Sequence, residues 1–445
     1  MTKPPPFSHP QAQPAAQTAV ARHTVRPPRR RWLGALCSGA LVLFAAWDAQ
    51  AANPLPLQGQ TVRIAFIDPL SGPAADIGRN SLRSWQFMAE HKSGAANPAG
   101  VRFVVAGFDN KGSPQESLNA LKAAIDQGFR YIVQGNGSGV AAALSSAIAR
   151  HNLRSPERAV LYINYAAMDP ELTNEKCNFW HFRIDSDTAM KMRAMTGFMA
   201  AQPELRRVYL LNQNYAHGQQ FSRYFRETMA QQRSDVQIVG DSLHPPFQGH
   251  DFTADVRNIQ ASGAQALATG NWGADLRDLV KALHKQGVYL PIYAYYPALK
   301  GVPAVLADTA GRMPMHQVAH NHSNQPGPIH ALAAAFRQQH GEDLTIYASY
   351  DGIEMLSHAM AHVGSTNPAQ VAGRLSGMIF KGFNGPVQMR ADDHQLLKGL
   401  YVSRWQKVDA TYPRSAEETG YTFAPVQYMD ATQISGPTRC QMQRP

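Results

Sequence analysis

After residue 61 the chain alternates strand-like and helix-like segments, and this alternation limits the possible folds more than any other feature of the sequence. Residues 62–67, 101–108, 131–133 and 160–163 are short apolar runs of the kind found in strands buried on both faces. Helical spacing of apolar residues separates them, as at residues 82–89. Strands that alternate with helices are typical of a parallel sheet with helices on both faces. The sequence therefore predicts an α/β unit in its first half.

A second series of the same kind follows. Strand-like runs recur at residues 208–211, 236–239, 264–268 and 291–296, and the predicted helix at residues 273–285 carries its large apolar side chains on one face. A chain of 445 residues is also too long for one ordinary hydrophobic core. We therefore expect two Rossmann-like lobes, each built on a parallel sheet flanked by helices.

The first 51 residues have the pattern of an export signal. A basic region at residues 29–31 precedes an apolar region at residues 33–46 and a small-residue cleavage signal that ends at Ala51. We therefore expect a leader and Sec-type signal peptide over residues 1–51, cleaved near Ala51. The mature protein is then expected in the periplasm.

Export has consequences for the cysteines and for the charge. Cys177 and Cys440 remain after cleavage, and an oxidising compartment predicts a disulfide between them. Removal of the leader takes away six bases and one acid, so the formal net charge falls from +10 to +5. This small surplus, with no basic block after residue 31, gives no reason to expect nucleic acid binding.

Seven stretches of the sequence, in order over nearly the whole mature chain, resemble those of one family. They are similar to stretches of the periplasmic solute-binding proteins of branched-chain amino-acid type ABC importers, which have the type I two-lobed fold. The stretches are IAFIDPLSGPAADIG at 64–78, DNKGSPQES at 109–117, YIVQGNGSG at 131–139, NYAAMDPELT at 164–173, NYAHG at 214–218, GNWGADL at 270–276 and GFNGPVQMRADDH at 382–394.

The resemblance implies three crossings between the lobes, which we place near residues 185, 299 and 395. The expected domains are an N-terminal lobe of residues 60–185 and 300–395, a C-terminal lobe of residues 186–299 and 396–430, and a tail of residues 431–445. It also implies a small-molecule ligand that closes the lobes and passes to the permease and ATPase of an ABC importer. We expect a monomer with no cofactor.

On the first lobe, loops at the carboxyl ends of the predicted strands supply candidate ligand contacts. Ser71 follows the first strand and offers a hydroxyl, although its segment also fits a simple tight turn. Gly137, Ser138 and Gly139 open a helix, where unpaired N–H groups and the helix dipole favour an anion. The resemblance implies that this loop contributes to a carboxylate site.

The segment after the fourth strand, residues 164–173, supplies four further candidates. The resemblance implies that Ala166 and Ala167 hold the head of an amino acid, with a threonine at the next position. Here that position is Met168, which has no hydrogen-bond donor. Tyr165 and Met168 either form an apolar wall of the site or pack inward.

The candidates on the second lobe are Tyr215, His217, Asn271, Trp272, Asp275 and Tyr295. A neutral His217 can donate or accept a hydrogen bond, and Trp272 can stack on a planar ligand. Asp275 takes the position that the resemblance assigns to the acid contacting an α-ammonium group. It also stands in the first turn of a predicted helix, where an acid is favourable without any ligand.

Two classes of ligand remain open. The glycine loop and Asp275 favour a branched-chain or related amino acid, whereas Met168, His217 and Trp272 favour an aromatic or other non-amino-acid solute. An enzyme is not expected, because neither a G-x-S-x-G nor an H-E-x-x-H motif is present. A sensory ligand-binding protein is a further alternative. No metal is expected, because the predicted strand and loop separate the imidazoles of His316, His320, His322 and His330.

Overall fold

The computed structural model describes residues 56–445, so the predicted leader lies outside the described residues. Five parallel strands form the sheet of the first lobe in the spatial order β2-β1-β3-β4-β5. They are β1 (Thr61–Asp68), β2 (Arg102–Asp109), β3 (Tyr131–Gln134), β4 (Leu161–Asn164) and β5 (His181–Arg183). The four predicted strands of this half are confirmed. Every residue of β3 and β4 is buried, which explains their continuous apolar runs.

Helices cover both faces of this sheet. They are α1 (Ala75–His91), α2 (Pro114–Asp126) and α3 (Ser138–Arg154) from the first half of the chain, and α9 (Pro328–His340), α10 (Ala348–Val363) and α11 (Pro368–Leu375) from its later part. The Ser113 hydroxyl accepts a hydrogen bond from the Glu116 N–H and Pro114 opens α2, so that helix begins as its sequence predicts. A small antiparallel sheet of β11 (Ile379–Gly382), β12 (Gly385–Met389) and β13 (Leu396–Leu397) packs into the same hydrophobic core.

The second lobe is built on a seven-stranded sheet in the order β15-β14-β10-β9-β8-β6-β7. Its strands are β6 (Arg207–Gln213), β7 (Gln237–His244), β8 (Ala266–Thr269), β9 (Ile292–Ala294), β10 (Met315–Ala319), β14 (Leu400–Lys407) and β15 (Tyr421–Met429). Strands β6 to β10 are parallel, and β14 and β15 are antiparallel to their neighbours. Its helices are α4 (Thr188–Ala200), α5 (Ala216–Gln232), α6 (Thr253–Ala261), α7 (Gly273–Lys285), α8 (Val302–Asp308) and α12 (Ala431–Ile434).

The second crossing lies later than the sequence indicated, and the boundary placed near residue 299 is wrong. Residues 300–319 form one more unit of the second lobe, because β10 pairs in parallel with β9 and antiparallel with β14. The chain returns to the first lobe in residues 320–327, between β10 and α9. The other two crossings are short and lie between β5 and α4 and between β13 and β14.

The C-terminal tail makes a further connection between the lobes. It leaves the second lobe after α12, whose Ile434 packs in that lobe's core. Arg390 of the first lobe then donates a hydrogen bond to the Gly436 carbonyl over 2.7 Å. The predicted disulfide between Cys177 and Cys440 is confirmed, and it joins Cα atoms 5.7 Å apart across 263 residues of sequence. Among residues 56–445, no helix combines the length and the apolar character required to span a membrane.

Candidate functional site

A cavity of about 250 Å³ lies between the two lobes and takes part of its wall from each. Ten of the fourteen residues predicted from the sequence line it. Those on the first lobe are Gly137, Ser138, Tyr165, Ala166, Ala167 and Met168. Those on the second lobe are Tyr215, His217, Trp272 and Tyr295. The carboxyl ends of the parallel strands meet at this cavity, which is where an α/β sheet presents its loops to a ligand.

The glycine-rich loop after β3 is held in place by Asp68, the last residue of β1. The Asp68 carboxyl accepts hydrogen bonds from the N–H groups of Gly135 and Asn136 over 3.1 and 2.9 Å, and from the Tyr165 hydroxyl over 2.5 Å. A Cβ atom at Gly135 would lie 2.5 Å from the Tyr165 ring, so this contact requires glycine. Burial raises the pKa of Asp68 to about 7, although these donors favour its charged form.

The N-terminus of α3 faces the cavity. Gly137 precedes the helix with φ of 95°, a conformation that glycine adopts without strain, and it offers no capping side chain. Within the described residues, the first-turn N–H groups of Ser138, Gly139 and Val140 donate to no other group of the chain. Because Ser138 lines the cavity, this helix end presents unpaired N–H groups and a positive dipole to it.

The loop after β4 is shaped by Asn164. Its side-chain oxygen accepts from the N–H groups of Ala166 and Ala167, and its amide nitrogen donates back to the Ala167 carbonyl over 2.8 Å. The backbone N–H groups that could have held an amino-acid head are therefore already used. Met168 lines the cavity and also packs in the core of the second lobe, so its side chain joins the two lobes.

Aromatic and imidazole groups form the wall of the second lobe. The Trp272 indole N–H donates to the Tyr215 hydroxyl over 2.9 Å, which fixes both rings. The His217 Nε2–H donates to the Gly270 carbonyl over 2.9 Å, and burial lowers the pKa of His217 to about 4. His217 is therefore neutral near pH 7, and its Nδ1 is an acceptor.

Four predicted residues do not line the cavity in this structure. The Ser71 hydroxyl donates to Asp109 over 2.6 Å, Gly139 is the second residue of α3 and is exposed, and Asn271 bonds His244. Asp275 is buried at the start of α7, where its carboxylate accepts from the Gln213 amide and the Phe247 N–H over 2.7 and 2.9 Å. Its acid therefore stabilises the interior of the second lobe.

Sequence reasoning missed a buried charged cluster in the cavity wall, which we call the hinge cluster and define as Asp185, Lys191, Tyr296 and His320. Asp185 lies in the first crossing and His320 in the second. The Asp185 carboxylate lies 2.7 Å from Lys191 Nζ and accepts from His320 Nδ1 over 2.8 Å. Tyr296 donates to the Ala166 carbonyl over 3.0 Å. There was little sequence signal for this cluster beyond an aspartate two residues after the fifth strand.

The hinge cluster has a definite charge state. Burial alone would raise the pKa of Asp185, but Lys191 and His320 outweigh it and hold that pKa well below its ordinary value. Burial lowers the pKa of His320. The cluster therefore contains an ionised Asp185 paired with Lys191, together with a neutral His320.

The four histidines of residues 316–330 are not arranged around a common metal position. In residues 56–445, no three His, Cys, Asp or Glu side chains converge on a common point. His316 stacks on Tyr293 with ring centroids 4.7 Å apart, and His322 packs edge-on against Tyr401. These imidazoles are therefore separated among aromatic neighbours.

Two α/β lobes, joined by several crossings and enclosing a cavity at the ends of their strands, define a two-lobed solute-binding protein. The family model described as periplasmic binding protein matches residues 61–411. The chain belongs to this family, as its sequence motifs indicated.

Three similar proteins extend this comparison. The Leu/Ile/Val-binding protein homolog 4 of Brucella melitensis is 28% identical over 429 residues, covering 93% of this chain and 98% of its own length. A leucine-, isoleucine-, valine-, threonine- and alanine-binding protein from Brucella ovis, solved in a closed conformation, is 26% identical with a TM-score of 0.73, covering 87% of this chain and all of its own. A solute-binding protein of Rhodopseudomonas palustris in complex with p-hydroxybenzoic acid shares the fold at 19% identity and a TM-score of 0.68, covering 84% and 98% of the two chains.

Proposed function

We propose that the protein is a non-enzymatic receptor that captures a small carboxylate-bearing solute between its lobes. The observation that carries this proposal is the N-terminus of α3, whose unpaired N–H groups face the cavity at Ser138. Closure of the lobes brings this helix end and the aromatic wall of the second lobe onto one ligand. Binding free energy then shifts the equilibrium toward the closed state.

The closed receptor would deliver its solute to the permease and ATPase of an ABC importer, because the chain belongs to the periplasmic binding protein family and shares its fold with a solute-binding protein of an ABC transporter. We also propose that it acts as a monomer in the periplasm after cleavage of a signal peptide near Ala51, without nucleic acid. The disulfide between Cys177 and Cys440 supports an oxidising compartment.

Two solute classes deserve testing. The names of the relatives support a branched-chain or related amino acid. Asp275 lies in the interior of the second lobe, and both acids that line the cavity are paired with cations. These two observations support a solute without an ammonium group. Asp185 pairs with Lys191, and Asp343 pairs with Arg337 over 2.7 Å. No lining carboxylate is therefore left for an α-ammonium group.

A ligand screen tests the receptor role. Purified protein is mixed with aliphatic amino acids, aliphatic acids and aromatic acids, and thermal unfolding and small-angle X-ray scattering are measured. A ligand at 100 times its Kd should stabilise the protein by about 2.7 kcal/mol and reduce its radius of gyration. Absence of both effects across the whole screen would contradict the proposal.

The Asp275→Asn variant separates the two solute classes. If an amino acid binds through Asp275, the variant loses affinity for leucine by tenfold or more. If Asp275 is structural, affinity for every acid changes little while the unfolding temperature falls, because the hydrogen bonds of Gln213 and Phe247 are weakened. We expect the second result.

A further inference from the structure

The cavity wall contributed by β10 carries a hydrogen-bond acceptor that the proposed carboxylate site does not use. Gln317 lines the cavity with only 2% of its surface exposed. Its side-chain nitrogen donates to the Asn321 carbonyl over 3.4 Å, which orients the amide, and its Oε1 has no partner in residues 56–445. A buried acceptor without a partner costs free energy until a donor reaches it.

His320 adds a second acceptor to the same wall. Its Nδ1–H donates to Asp185, and burial lowers the pKa of the imidazole, so Nε2 carries a lone pair near pH 7. His320 lines the cavity, and its Nε2 bonds to no group in the described part of the chain. The second crossing and the strand before it therefore place two neutral acceptors in the wall of the cavity.

The charge beside these acceptors determines which donor fits them. Lys191 lines the cavity as well, and its ammonium lies 4.5 Å from the Tyr296 ring centroid and 2.7 Å from Asp185. An ammonium on the solute would find no free carboxylate here, because Asp185 is already paired with Lys191. A neutral hydroxyl donates to the same acceptors and needs no such partner.

We propose that Gln317 and His320 form a hydroxyl-accepting subsite, so that the preferred solute is a hydroxy acid. Its carboxylate lies at the N-terminus of α3 and its hydroxyl donates to the subsite. This inference rests on the proposed function, because it assigns the other end of the same solute. A solute with this hydroxyl pairs acceptors that would otherwise stay without a donor, so the two residues determine specificity.

Ser403 is the internal alternative to a solute hydroxyl. It is the cross-strand neighbour of Gln317 on β14, and its buried hydroxyl also has no partner among the described residues. The two side chains are not hydrogen-bonded in the structure. If a small rotation joined them, Gln317 would be satisfied without a ligand, and the Ser403→Ala variant would then change solute preference.

Titration calorimetry with matched pairs of acids tests the subsite. The pairs are 4-hydroxybenzoate with benzoate, and 6-hydroxyhexanoate with hexanoate, so that each hydroxyl lies far from the carboxylate, and leucine is measured beside them. In at least one pair we expect the hydroxylated acid to bind about tenfold more tightly, the effect of one net hydrogen bond to a buried group. The Gln317→Met variant should abolish most of that preference while it still binds the acid that lacks the hydroxyl.

Gln325 provides the matched control. It is a second buried glutamine whose Oε1 also lacks a partner in the described chain, but it lies outside the cavity. Gln325→Met and Ser403→Ala should both keep the preference. Equal affinities within both pairs in the unsubstituted protein, tightest binding of leucine, or equal losses in the Gln317 and Gln325 variants would overturn the inference. Failure of every acid to bind would overturn the proposed function itself.

Discussion

Two sets of ion pairs join the lobes, and they have similar distances but opposite surroundings. In the hinge cluster, Lys191 Nζ lies 2.7 Å from the Asp185 carboxylate, and the two side chains are 1% and 2% exposed. At the edge of the cavity, Arg337 of the first lobe lies 2.7 Å from Glu418 of the second, whose side chain is 79% exposed. We call this second set the rim pairs. Lys300 and Glu342, 2.5 Å apart, also belong to it, although only the lysine is exposed, at 38% against 9% for Glu342.

The comparison teaches that distance alone does not rank these contacts. An exposed pair gains little, because water and salt screen it and its long side chains lose rotamer freedom. A buried pair is costly to form, but loss of one partner leaves a charge in a medium that cannot solvate it. The hinge cluster also joins the first two crossings, and the amide of Gln395, just before β13, donates to the Asp185 carbonyl over 2.8 Å. We therefore expect it to control hinge geometry, while the rim pairs adjust closure slightly.

The largest effect is expected for Lys191→Met. The substitution removes the ammonium that pairs with the buried, ionised Asp185. His320 then remains beside the carboxylate, and it carries a positive charge only when protonated. The free energy of unfolding should fall by about 3 to 5 kcal/mol, measured by denaturant titration.

The matched control for Lys191 is Lys300→Met. Its partner Glu342 keeps a second cation, Arg83, at 2.7 Å, so the loss should be below about 1 kcal/mol. Adding Asp185→Asn to Lys191→Met should recover part of the stability. Equal losses in the two lysine variants would break the distinction between the hinge cluster and the rim pairs.

The disulfide is a covalent link against which both sets of charges can be ranked. Cys177→Ala with Cys440→Ala frees the tail, whose Met442 packs against the first-lobe core. We expect unfolding to become easier by about 2 to 4 kcal/mol, measured by denaturant titration at constant pH.

Reduction of the unsubstituted protein should reproduce the effect of the double cysteine variant and leave that variant unchanged. If the variant unfolds at the same denaturant concentration as the parent, hydrogen bonds such as that from Thr438 to the Thr173 carbonyl hold the tail without covalent help.

Acid should distinguish the hinge cluster from the rim pairs through His320. Burial lowers its pKa in the folded state, so the unfolded chain takes up the proton first as pH falls below about 6.5. Stability should therefore fall as the pH drops below about 6.5, with one group contributing at most about 1.4 kcal/mol per pH unit. His320→Gln should flatten this part of the curve.

Burial lowers the pKa values of His217 and His316 to about 4, so in every variant the free energy of unfolding should still decrease somewhat as the pH falls. Asp68 opposes them, because its raised pKa of about 7 makes stability fall as pH rises from about 4 to 7. An unchanged slope in His320→Gln would count against a neutral His320.

Whether a strand or helix could be predicted from the sequence depends on how its side chains are buried. Strands buried on both faces give apolar runs, as β3 and β4 do, and the edge strand β2 was recognised although some of its residues are exposed. Helix α4 was missed because it is buried on most sides, including Lys191, and so lacks the apolar stripe of a surface helix. The second crossing was misplaced because the local sequence of β10 does not say which sheet it joins. That choice depends on pairing with β14, about 85 residues later.

The candidate site divides in the same way. Loops at strand ends were predictable, and the glycine loop and residues 165–168 do line the cavity. Asp275 was assigned by position in a motif, but the direction of its side chain depends on Gln213, which is 62 residues away. His320 and Asp185 are 135 residues apart, and a lone charged residue in a connecting segment reads as solvent-exposed. Long-range polar pairs of this kind leave no local pattern.

The smallest effect is expected at the rim, and it completes the comparison. Glu418→Ala removes the exposed partner of Arg337, which keeps Asp343 at 2.7 Å. The free energy of unfolding should change by no more than about 0.5 kcal/mol at 0.05 M salt and by less at 0.5 M, because salt screens exposed charges. Solute affinity should change less than threefold. A loss as large as that of Lys191→Met, or one that persists in high salt, would mean that the rim pairs hold the lobes closed and that the hinge cluster does not.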